Sequence, residues 1–329
     1  MNRLVLIDGN AILHRAFHAL PPLTAPDGSP VGAVYGFTTM LFKLVNDLKP
    51  THLAVAFDRP KPTFRDALFK EYQAQRPKMD TDLVPQVARV HDLLTAFGIP
   101  IYEIDGFEAD DVIGTLCKQA TSDKRQATSK TKNVSPVSGL PSPRIDQVII
   151  VTGDRDLLQL VDENTLLYMP TKGLSEARLY DPKAVKEKMG VAPRQIPDFK
   201  ALAGDASDNY PGVPGVGPKT AAQLLNQFDS LEALYKARQK LPEALTKKLE
   251  EGQKSADLGK QLATVRTDVP IEVDFSKTSL TTLDTPSGRR ALEDLHFSSL
   301  LKRLTKPEEE PKKEKKPKKE HGNTQQQLL

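Results

Sequence analysis

The sequence predicts an α/β fold with a mostly parallel sheet flanked by helices, followed by an all-helical region. In the first part of the chain, short continuous apolar runs alternate with helix-like patterns, as in parallel sheets whose strands are buried on both faces. From Pro193 onward the pattern is helical almost throughout. A chain of 329 residues is long enough for two domains of ordinary size.

The predicted strands are short apolar runs separated by helix patterns. They are Leu4 to Ile7, Leu53 to Phe57, Ile99 to Ile104, Val148 to Val151 and Thr165 to Met169. The amphipathic helices predicted between them cover about residues 11–20, 32–48, 80–97 and 106–120, and Asp80 or Thr81 is the expected cap of the third. This alternation indicates a parallel sheet.

Acids follow the ends of several of these strands. They are Asp8, Asp58, Glu108, Asp154 and Asp156. Ligands of parallel α/β sheets bind outside the carboxyl ends of the strands. The sequence therefore predicts that these acids line a site at one edge of the sheet.

The stretch from Gly106 to Asp111 holds Glu108, Asp110 and Asp111 at the start of an apolar helix pattern. One interpretation is an ordinary helix N-terminus, where acids interact favourably with the helix dipole. The other is one half of an oxygen-rich site for hard divalent cations. Glu108 and Asp111 would share a helix face, whereas Asp110 is expected to point elsewhere and to act indirectly or through a water molecule.

Residues 59–79 are basic, contain interleaved aromatic side chains and show no clear core stripe. They form either a solvated loop with a marginal helix or a flexible basic element that contacts phosphates. In the second case Phe64, Phe69 and Tyr72 are available to stack on bases. The sequence pattern leaves both interpretations open.

Two further segments are predicted to be disordered. Residues 121–147 are rich in Ser, Thr, Lys and Pro and have the composition of an insertion, and residues 306–329 form a charged tail. The tail ends in residues 325–329, which either dock in a groove of a partner such as a sliding clamp or are simply frayed.

The helical region carries two motifs. Gly204 to Asn209 adds two more acids, Asp205 and Asp208. Gly212 to Ala221 is a glycine-rich turn that opens a helix, and its backbone N–H groups are suited to a phosphate. A helix-hairpin-helix loop that grips a nucleic-acid backbone explains this motif, and an ordinary turn between helices is the alternative.

So many carboxylates exceed the need of a single acid–base pair, and they suit two divalent ions that clamp a phosphodiester. One ion would lower the pKa of an attacking water, and the other would stabilise the leaving oxygen. Ligands that are all oxygen favour Mg²⁺ or Mn²⁺ over Zn²⁺. The sequence contains no P-loop and no Gly-x-Ser-x-Gly motif.

Composition narrows the class of protein further. A net charge of +3 excludes a uniformly basic nucleic-acid binder, so any basic surface must be local. Cys117 is the single cysteine, which rules out an internal disulfide and fits a reducing compartment. No apolar run has the length of a signal peptide core or a membrane span. A cytoplasmic protein without membrane contact is expected.

Motifs spread over about residues 1 to 300 resemble, in order, those of the 5′-nuclease (flap endonuclease) family. They are LIDGN (6–10), VAFD (55–58), FRDALFKEYQAQR (64–76), GFEADDVIGTL (106–116), VTGDRDLLQL (151–160), GDASDN (204–209) and GVPGVGPKTA (212–221). The likeness is greatest to the bacterial 5′→3′ exonuclease domains of that family.

The resemblance implies a PIN-like nuclease domain (residues 1–190) followed by a helical DNA-binding domain (residues 191–305). Residues 59–79 would form an arch or clamp over a single strand, and residues 212–221 the helix-hairpin-helix loop. The implied activity is 5′→3′ exonuclease and structure-specific flap endonuclease cleavage with two Mg²⁺ ions, for which Mn²⁺ can substitute. The implied substrates of the monomer are DNA with 5′ flaps, nicks or ends and RNA–DNA primer junctions.

The resemblance also assigns functions to residues. The ligands of the first metal ion would be Asp8, Asp58, Glu108, Asp110 and Asp111, and those of the second Asp154, Asp156, Asp205 and Asp208. Tyr35 would lie near the scissile nucleotide, and the arch would contact DNA through Arg65, Lys70, Tyr72 and Arg76. The residues gripping the duplex backbone, with a K⁺ ion, would be Gly212, Gly215, Gly217, Lys219 and Thr220.

The chain departs from the family at one position. Many relatives have a lysine after the arch tyrosine that acts on the scissile phosphate, whereas Gln73 follows Tyr72 here. Lys70 is the substitute candidate, with Arg76 as the other basic catalytic residue. Gln73 also motivates one alternative, a DNA-structure-binding protein of the same fold that cleaves poorly.

A PIN-type ribonuclease is the second alternative, although the helix-hairpin-helix motif favours duplex DNA. The sequence contains no polymerase or proofreading domain. It is therefore either a stand-alone nuclease or a fragment of a longer chain, and the charged tail favours the first.

Overall fold

The computed structural model describes residues 1–126, 143–173 and 176–305. Its strands are β1 (Arg3–Asp8), β2 (His52–Ala56), β3 (Ile101–Tyr102), β4 (Gln147–Val151), β5 (Thr165–Lys172) and β6 (Glu176–Tyr180). Within the described ranges they form one six-stranded sheet in the order β3-β2-β1-β4-β5-β6. Only the β5–β6 pair is antiparallel among these strands, so the predicted mostly parallel sheet is confirmed.

The helices follow the predicted alternation. In the first part of the chain they are α1 (Gly9–Ala19), α2 (Gly32–Leu48), α3 (Phe64–Leu68), α4 (Val84–Ala96), α5 (Ala109–Gln126) and α6 (Pro182–Met189). The later helices are α7 (Ile196–Ala203), α8 (Pro218–Phe228), α9 (Leu231–Lys236), α10 (Glu243–Ala263), α11 (Pro286–Asp294) and α12 (Ser298–Thr305). The helical second region that the sequence predicted is confirmed.

Both faces of the sheet are covered, because alternate side chains of a strand point to opposite faces. Val5 and Ile7 of β1 face a core formed with α1, α2 and α4. Leu4 and Leu6 face a second core formed with α5. The second core continues without a break into α7, α8 and α10, so the helical region packs directly on the sheet.

The segment after residue 280 returns to the opposite face. Leu283, Leu292, Phe297 and Leu300 are buried in the core of α1, α2 and α4. Residues 191–305, predicted from sequence as one helical domain, are therefore divided by packing between the two sides of the sheet.

Several element boundaries differ from the predictions for physical reasons. The strand predicted at Ile99 to Ile104 is reduced to β3, which lies at the sheet edge and pairs only with β2 among the described strands. The helix expected to start at Asp80 or Thr81 begins at Val84. Asp80 instead forms a turn, in which it accepts hydrogen bonds from the backbone N–H groups of Asp82 and Leu83. Strand β6 was missed because its side chains are mostly exposed and carry no apolar run.

The predicted insertion at residues 121–147 is wrong at both ends. Residues 121–126 continue α5, Ile145 is buried, and the Asn2 N–H donates to Asp146 Oδ2. Residues 127–142 lie outside the described residues, as do the charged tail, residues 306–329, and the clamp-docking end predicted within it. Among the described helices, none has the length and apolarity that crossing a bilayer requires.

Candidate active site

The carboxyl ends of the central strands bring the predicted acids together. Asp8 ends β1, where its Oδ1 caps α1 by accepting the Ala11 N–H at 2.9 Å. Its Oδ2 accepts a hydrogen bond from Thr152 Oγ1 at 2.7 Å, from the end of neighbouring β4. Asp58 follows β2 and accepts the Ala109 N–H at the start of α5. The side chains at this edge therefore hold one another in position.

A cavity of about 460 Å³ opens at this edge. The predicted acids that line it are Asp8, Asp58, Glu108, Asp110, Asp154, Asp156 and Asp208. Basic side chains also line it, namely Arg59, Lys61, Arg65 and Arg76, together with His14. Acids from separate segments of the chain thus converge on one space, as the strand topology predicted.

The carboxylates deepest in the cavity carry more negative charge than their surroundings compensate. Burial, together with the charge of Asp58, raises the pKa of Asp8 to about 7, against the hydrogen bond from Ala11. Burial likewise raises the pKa of Glu108 to about 7, against the charge of Arg65. The pKa of Asp110 is raised well above its usual value by burial and by the charges of Asp154 and Asp8. A cation would relieve this repulsion.

A second group of acids lies at the junction with the helical region. Carboxylate oxygens of Asp156, Asp205 and Asp208 lie within 4.8 Å of one another. Arg76 Nη2 and Gln73 Nε2 each donate to Asp208 Oδ1 at 3.0 Å. Burial raises the pKa of Asp156 to about 7, and the charge of Lys200 opposes this.

Lys200 supplies a cation to this second group. Its ammonium forms ion pairs with Asp156 and Asp205, and its side chain is 11% exposed. Burial lowers the pKa of Lys200, but the two carboxylates outweigh burial, so its pKa is raised above the usual range.

The donor set fits divalent metal ions of the hard class. The converging ligand atoms are carboxylate oxygens, which Mg²⁺ and Mn²⁺ prefer. Tyr210 is consistent with this assignment: it is 3% exposed, yet its hydroxyl has no hydrogen-bond partner among the described residues. Burial and then the charges of Asp156 and Asp205 raise the pKa of Tyr210, so its hydroxyl stays neutral beside the acids.

Asp110 and Asp111 have the reverse of the positions predicted for them. Asp110 lines the cavity, whereas Asp111 is 0% exposed and does not line it. The prediction treated Glu108 and Asp111 as neighbours on one helix face. Helix α5 begins only at Ala109, so Glu108 precedes the helix and that spacing rule does not apply.

Both oxygens of the Asp111 carboxylate accept hydrogen bonds from other groups of the protein. Its Oδ2 accepts Arg65 Nη1 at 2.7 Å, and its Oδ1 accepts Arg65 Nη2 at 2.9 Å. The backbone N–H groups of Arg266 and Glu108 complete its hydrogen bonds. Asp111 therefore acts as an anchor for Arg65, and its predicted position as a metal ligand is wrong for this structure.

Arg65 was predicted to contact DNA, but it is buried. It is 2% exposed, and besides Asp111 it donates to the carbonyl oxygens of Leu262 and Thr264. The guanidinium thus ties α3 and α5 to the end of α10.

The basic segment 59–79 is more closely packed than either a solvated loop or a flexible element that contacts phosphates, the two interpretations of its sequence. Helix α3 is capped by Thr63 in a capping box with Asp66. Phe69 and Tyr72 pack against Tyr210 and Leu262. The aromatic side chains predicted to stack on bases are thus largely engaged with protein in this structure.

The aromatic side chains of this segment also make specific polar and ring contacts. The Tyr72 hydroxyl donates to Glu108 Oε2 at 3.3 Å. Phe64 lies 6.0 Å from the ring of Phe107, and the Arg65 guanidinium lies over its face.

Of the two basic residues predicted to act in catalysis, Arg76 lies beside the acids and Lys70 does not. Lys70 is exposed and does not line the cavity. Arg76 lines the cavity, and its side chain is half exposed while it pairs with Asp208. Gln73 adopts a left-handed backbone conformation, φ 53°, which turns its amide onto the same carboxylate.

The glycine-rich loop and Tyr35 lie apart from the cavity lining. Val213 and Val216 anchor the loop in the core, whereas Gly215, Gly217 and Lys219 are exposed at the start of α8. The remaining predicted grip residues, Gly212 and Thr220, are partly buried.

Tyr35 packs on the C-terminal segment of the chain. Its ring lies 5.2 Å from the ring of Phe297, and its hydroxyl lies 2.9 Å from Ser299 Oγ. In this structure Tyr35 is thus engaged with α12 and its preceding turn.

Thr152 and Lys200, which hold acids of the site, were missed from sequence. Thr152 lies within the VTGD motif, so its place beside a strand end could have suggested it. Lys200 had no such signal, because it is one lysine of an amphipathic helix and reaches Asp156 only through folding.

Comparison with known protein families matches both parts of the chain. Residues 3–190 match the 5′-3′ exonuclease N-terminal resolvase-like domain, and residues 191–286 match the 5′-3′ exonuclease C-terminal SAM fold. Among curated relatives, DNA polymerase I of Bacillus subtilis is 43% identical over 303 residues, covering 92% of this chain and 32% of the relative. DNA polymerase I of Pseudomonas aeruginosa is 45% identical over 282 residues, covering 83% of this chain and 28% of the relative. The chain spans about a third of the length of these relatives.

Solved structures share the fold at low sequence identity. T5 5′-exonuclease, determined with bound divalent metal ions (zinc), superposes with a TM-score of 0.61 at 20% identity, covering 89% of this chain and 100% of that one. The catalytic core of Rad2 in complex with DNA substrate superposes with a TM-score of 0.56 at 15% identity, covering 93% of this chain and 92% of that one. At these identities the likeness concerns the fold alone.

Proposed function

The chain belongs to the 5′-3′ exonuclease family, and from this premise we propose that it is a divalent-metal-dependent 5′→3′ exonuclease and structure-specific 5′ flap endonuclease. Its substrates would be DNA with 5′ flaps, nicks or ends, and RNA–DNA primer junctions. Because the curated relatives are bacterial, the bacterial cytoplasm is the proposed place of action.

One observation carries this proposal: acids from separate segments of the chain line a single cavity at the carboxyl edge of the sheet. Such an arrangement costs stability through repulsion between like charges. A protein that only bound DNA would gain nothing from it, since DNA is itself an anion. Hydrolysis with metal ions explains why the carboxylates are kept together.

The residues present divide into two candidate sets of metal ligands. Asp8, Asp58, Glu108 and Asp110 would hold one Mg²⁺ or Mn²⁺ ion, and Asp156, Asp205 and Asp208 the other. Asp154, which the resemblance assigned to the second ion, is grouped here with the first because its charge acts on Asp110 and Asp8. When bound, such ions lower the pKa of an attacking water and stabilise the leaving oxygen of a phosphodiester.

The side chains around the acids have their own functions in this proposal. Thr152 orients the carboxylate of Asp8 by its hydrogen bond. Arg76, half exposed beside Asp208, is placed to attract the phosphate of an incoming strand. Arg59 and Lys61 line the same cavity and add positive charge for the nucleic acid.

The glycine-rich loop would bind the duplex away from the cleavage site. Its exposed N–H groups at the start of α8, with Lys219 beside them, suit a phosphate of the backbone. A K⁺ ion bridging this loop and the phosphate is part of the proposal. These contacts would fix the position of the duplex, while the acids act on the 5′ strand.

A labelled flap assay tests the proposed function. The full chain is incubated with a 5′-labelled flap duplex in Mg²⁺ or in EDTA, beside Asp154→Ala and the exposed control Asp92→Ala. We expect product only with Mg²⁺, at least about a hundredfold slower cleavage by Asp154→Ala, since a metal ligand is lost, and normal cleavage by Asp92→Ala. Binding of the flap without cleavage by the wild-type protein in Mg²⁺ or Mn²⁺ would favour the DNA-structure-binding alternative.

A further inference from the structure

Lys200 connects the two segments that supply the second group of acids. It lies on α7, and its ammonium pairs with Asp156 Oδ1, which follows β4, and with Asp205 Oδ2, in the loop after α7. Its side chain is 11% exposed, so water screens these pairs only weakly. The pairing joins the helical region to the sheet edge.

The carboxylates that Lys200 pairs with belong to the cluster that a metal ion would use. Carboxylate oxygens of Asp156, Asp205 and Asp208 lie within 4.8 Å of one another, which is the span of a single coordination sphere. A divalent ion among them would face the ammonium at close range. Repulsion between like charges is strong where water is excluded, so ion and ammonium compete for the same carboxylates.

We propose that Lys200 is a built-in counterion of the Asp156–Asp205–Asp208 cluster. The inference rests on the metal-dependent function proposed above. The ammonium neutralises the carboxylates while no metal is bound, and a divalent ion must displace it to enter. This half of the metal centre therefore binds its ion more weakly than the half around Asp8 and Asp110. In that half, among the described residues, Arg65 pairs with Glu108 at 3.3 Å, but no cationic side chain pairs with Asp8 or Asp110.

Tyr210 gives an independent sign that this cluster takes a ligand. Its backbone pairs with that of Asp205 in both directions, with N–H to carbonyl oxygen distances of 3.0 and 3.1 Å. Its buried hydroxyl lacks a hydrogen-bond partner among the described residues, although buried hydroxyls are normally satisfied. A metal ion with its bound water would provide such a partner.

The test is a titration of the full chain with Mn²⁺. The electron paramagnetic resonance signal of free Mn²⁺ monitors the titration and gives the number and affinity of the bound ions. The variants are Lys200→Gln, which removes the charge and keeps a donor, and Lys200→Arg, which keeps the charge. Lys260→Gln is the matched control, because Lys260 also bridges two carboxylates, Asp198 and Glu232, away from the site.

The expected result is that Lys200→Gln tightens the weaker Mn²⁺ site by about tenfold, whereas Lys200→Arg and Lys260→Gln leave it within about twofold of wild type. Thermal melting gives a second measurement: without metal, Lys200→Gln melts below wild type, and Mn²⁺ raises its melting temperature by more. Equal or weaker Mn²⁺ affinity in Lys200→Gln would overturn the inference alone. Failure of every protein, wild type included, to bind Mn²⁺ would overturn the proposed metal dependence and this inference with it.

Discussion

At the scale of single residues, the site depends on which of two adjacent acidic residues faces the cavity. Asp110 and Asp111 are adjacent and chemically identical, yet one lines the cavity and the other is buried against Arg65. Sequence placed both in the site, but it assigned the direct position to Asp111. The distinction depends on where α5 begins and on what packs against it, namely the chain after α10.

The Arg65–Asp111 pair leads to a prediction about stability. We expect Arg65→Met to lower the free energy of unfolding by about 3–5 kcal/mol, because it leaves a buried carboxylate without its partner. The control is Arg266→Met, whose side chain pairs with Asp268 at the surface and should cost about 1 kcal/mol or less. Urea unfolding followed by circular dichroism measures both. A stable Arg65→Met protein that binds DNA with a reduced salt dependence would instead support the original assignment of Arg65 to DNA contact.

At the scale of elements, α10 supports the glycine-rich loop. This helix runs without a break from Glu243 to Ala263. Gly252 and Gly259 within it are buried and allow close packing, which explains glycine inside a continuous helix. A Cβ atom at Gly252 would lie 2.7 Å from Val213 Cγ1 and 3.1 Å from Val213 Cα, so the loop rests directly on this position.

Gly252→Ala should therefore displace the loop that holds the exposed Lys219. We expect duplex affinity to fall by about fivefold to tenfold, because overpacking shifts the loop backbone that faces the phosphates. Fluorescence anisotropy with a nicked duplex measures this, and Glu251→Ala, an exposed neighbour on the same helix, is the control. An unchanged affinity in Gly252→Ala would separate this loop from duplex binding.

At the scale of the whole molecule, the two regions that match family models share a hydrophobic core. In addition, the C-terminal helices pack against the first helices of the chain. The second family match ends at residue 286, just as α11 begins. The last helices nevertheless bury Leu292, Phe297 and Leu300 against the α1, α2 and α4 side of the sheet. The segment beyond the family match is thus part of the core of the nuclease half.

Ending the chain at residue 285 should consequently destabilise the nuclease half. We expect the free energy of unfolding to fall by about 3 kcal/mol or more relative to a chain ending at residue 305, since several large apolar side chains lose their burial. The denaturation midpoint in urea measures the difference. Equal midpoints for the two chains would mean that α11 and α12 are dispensable for the fold.

The sequence by itself determined a mostly parallel sheet and the gathering of acids at one edge, although it missed strand β6. Continuous apolar runs and the helix patterns between them are properties of short segments, and parallel strands necessarily present their carboxyl ends together. Only the tertiary structure decided that Arg65 is an internal partner of Asp111, that Lys200 enters the second group of acids, and that the C-terminal helices pack on the first core. These contacts join segments distant in the chain, and their side-chain pairing is set by the packing of whole elements, which no local pattern encodes.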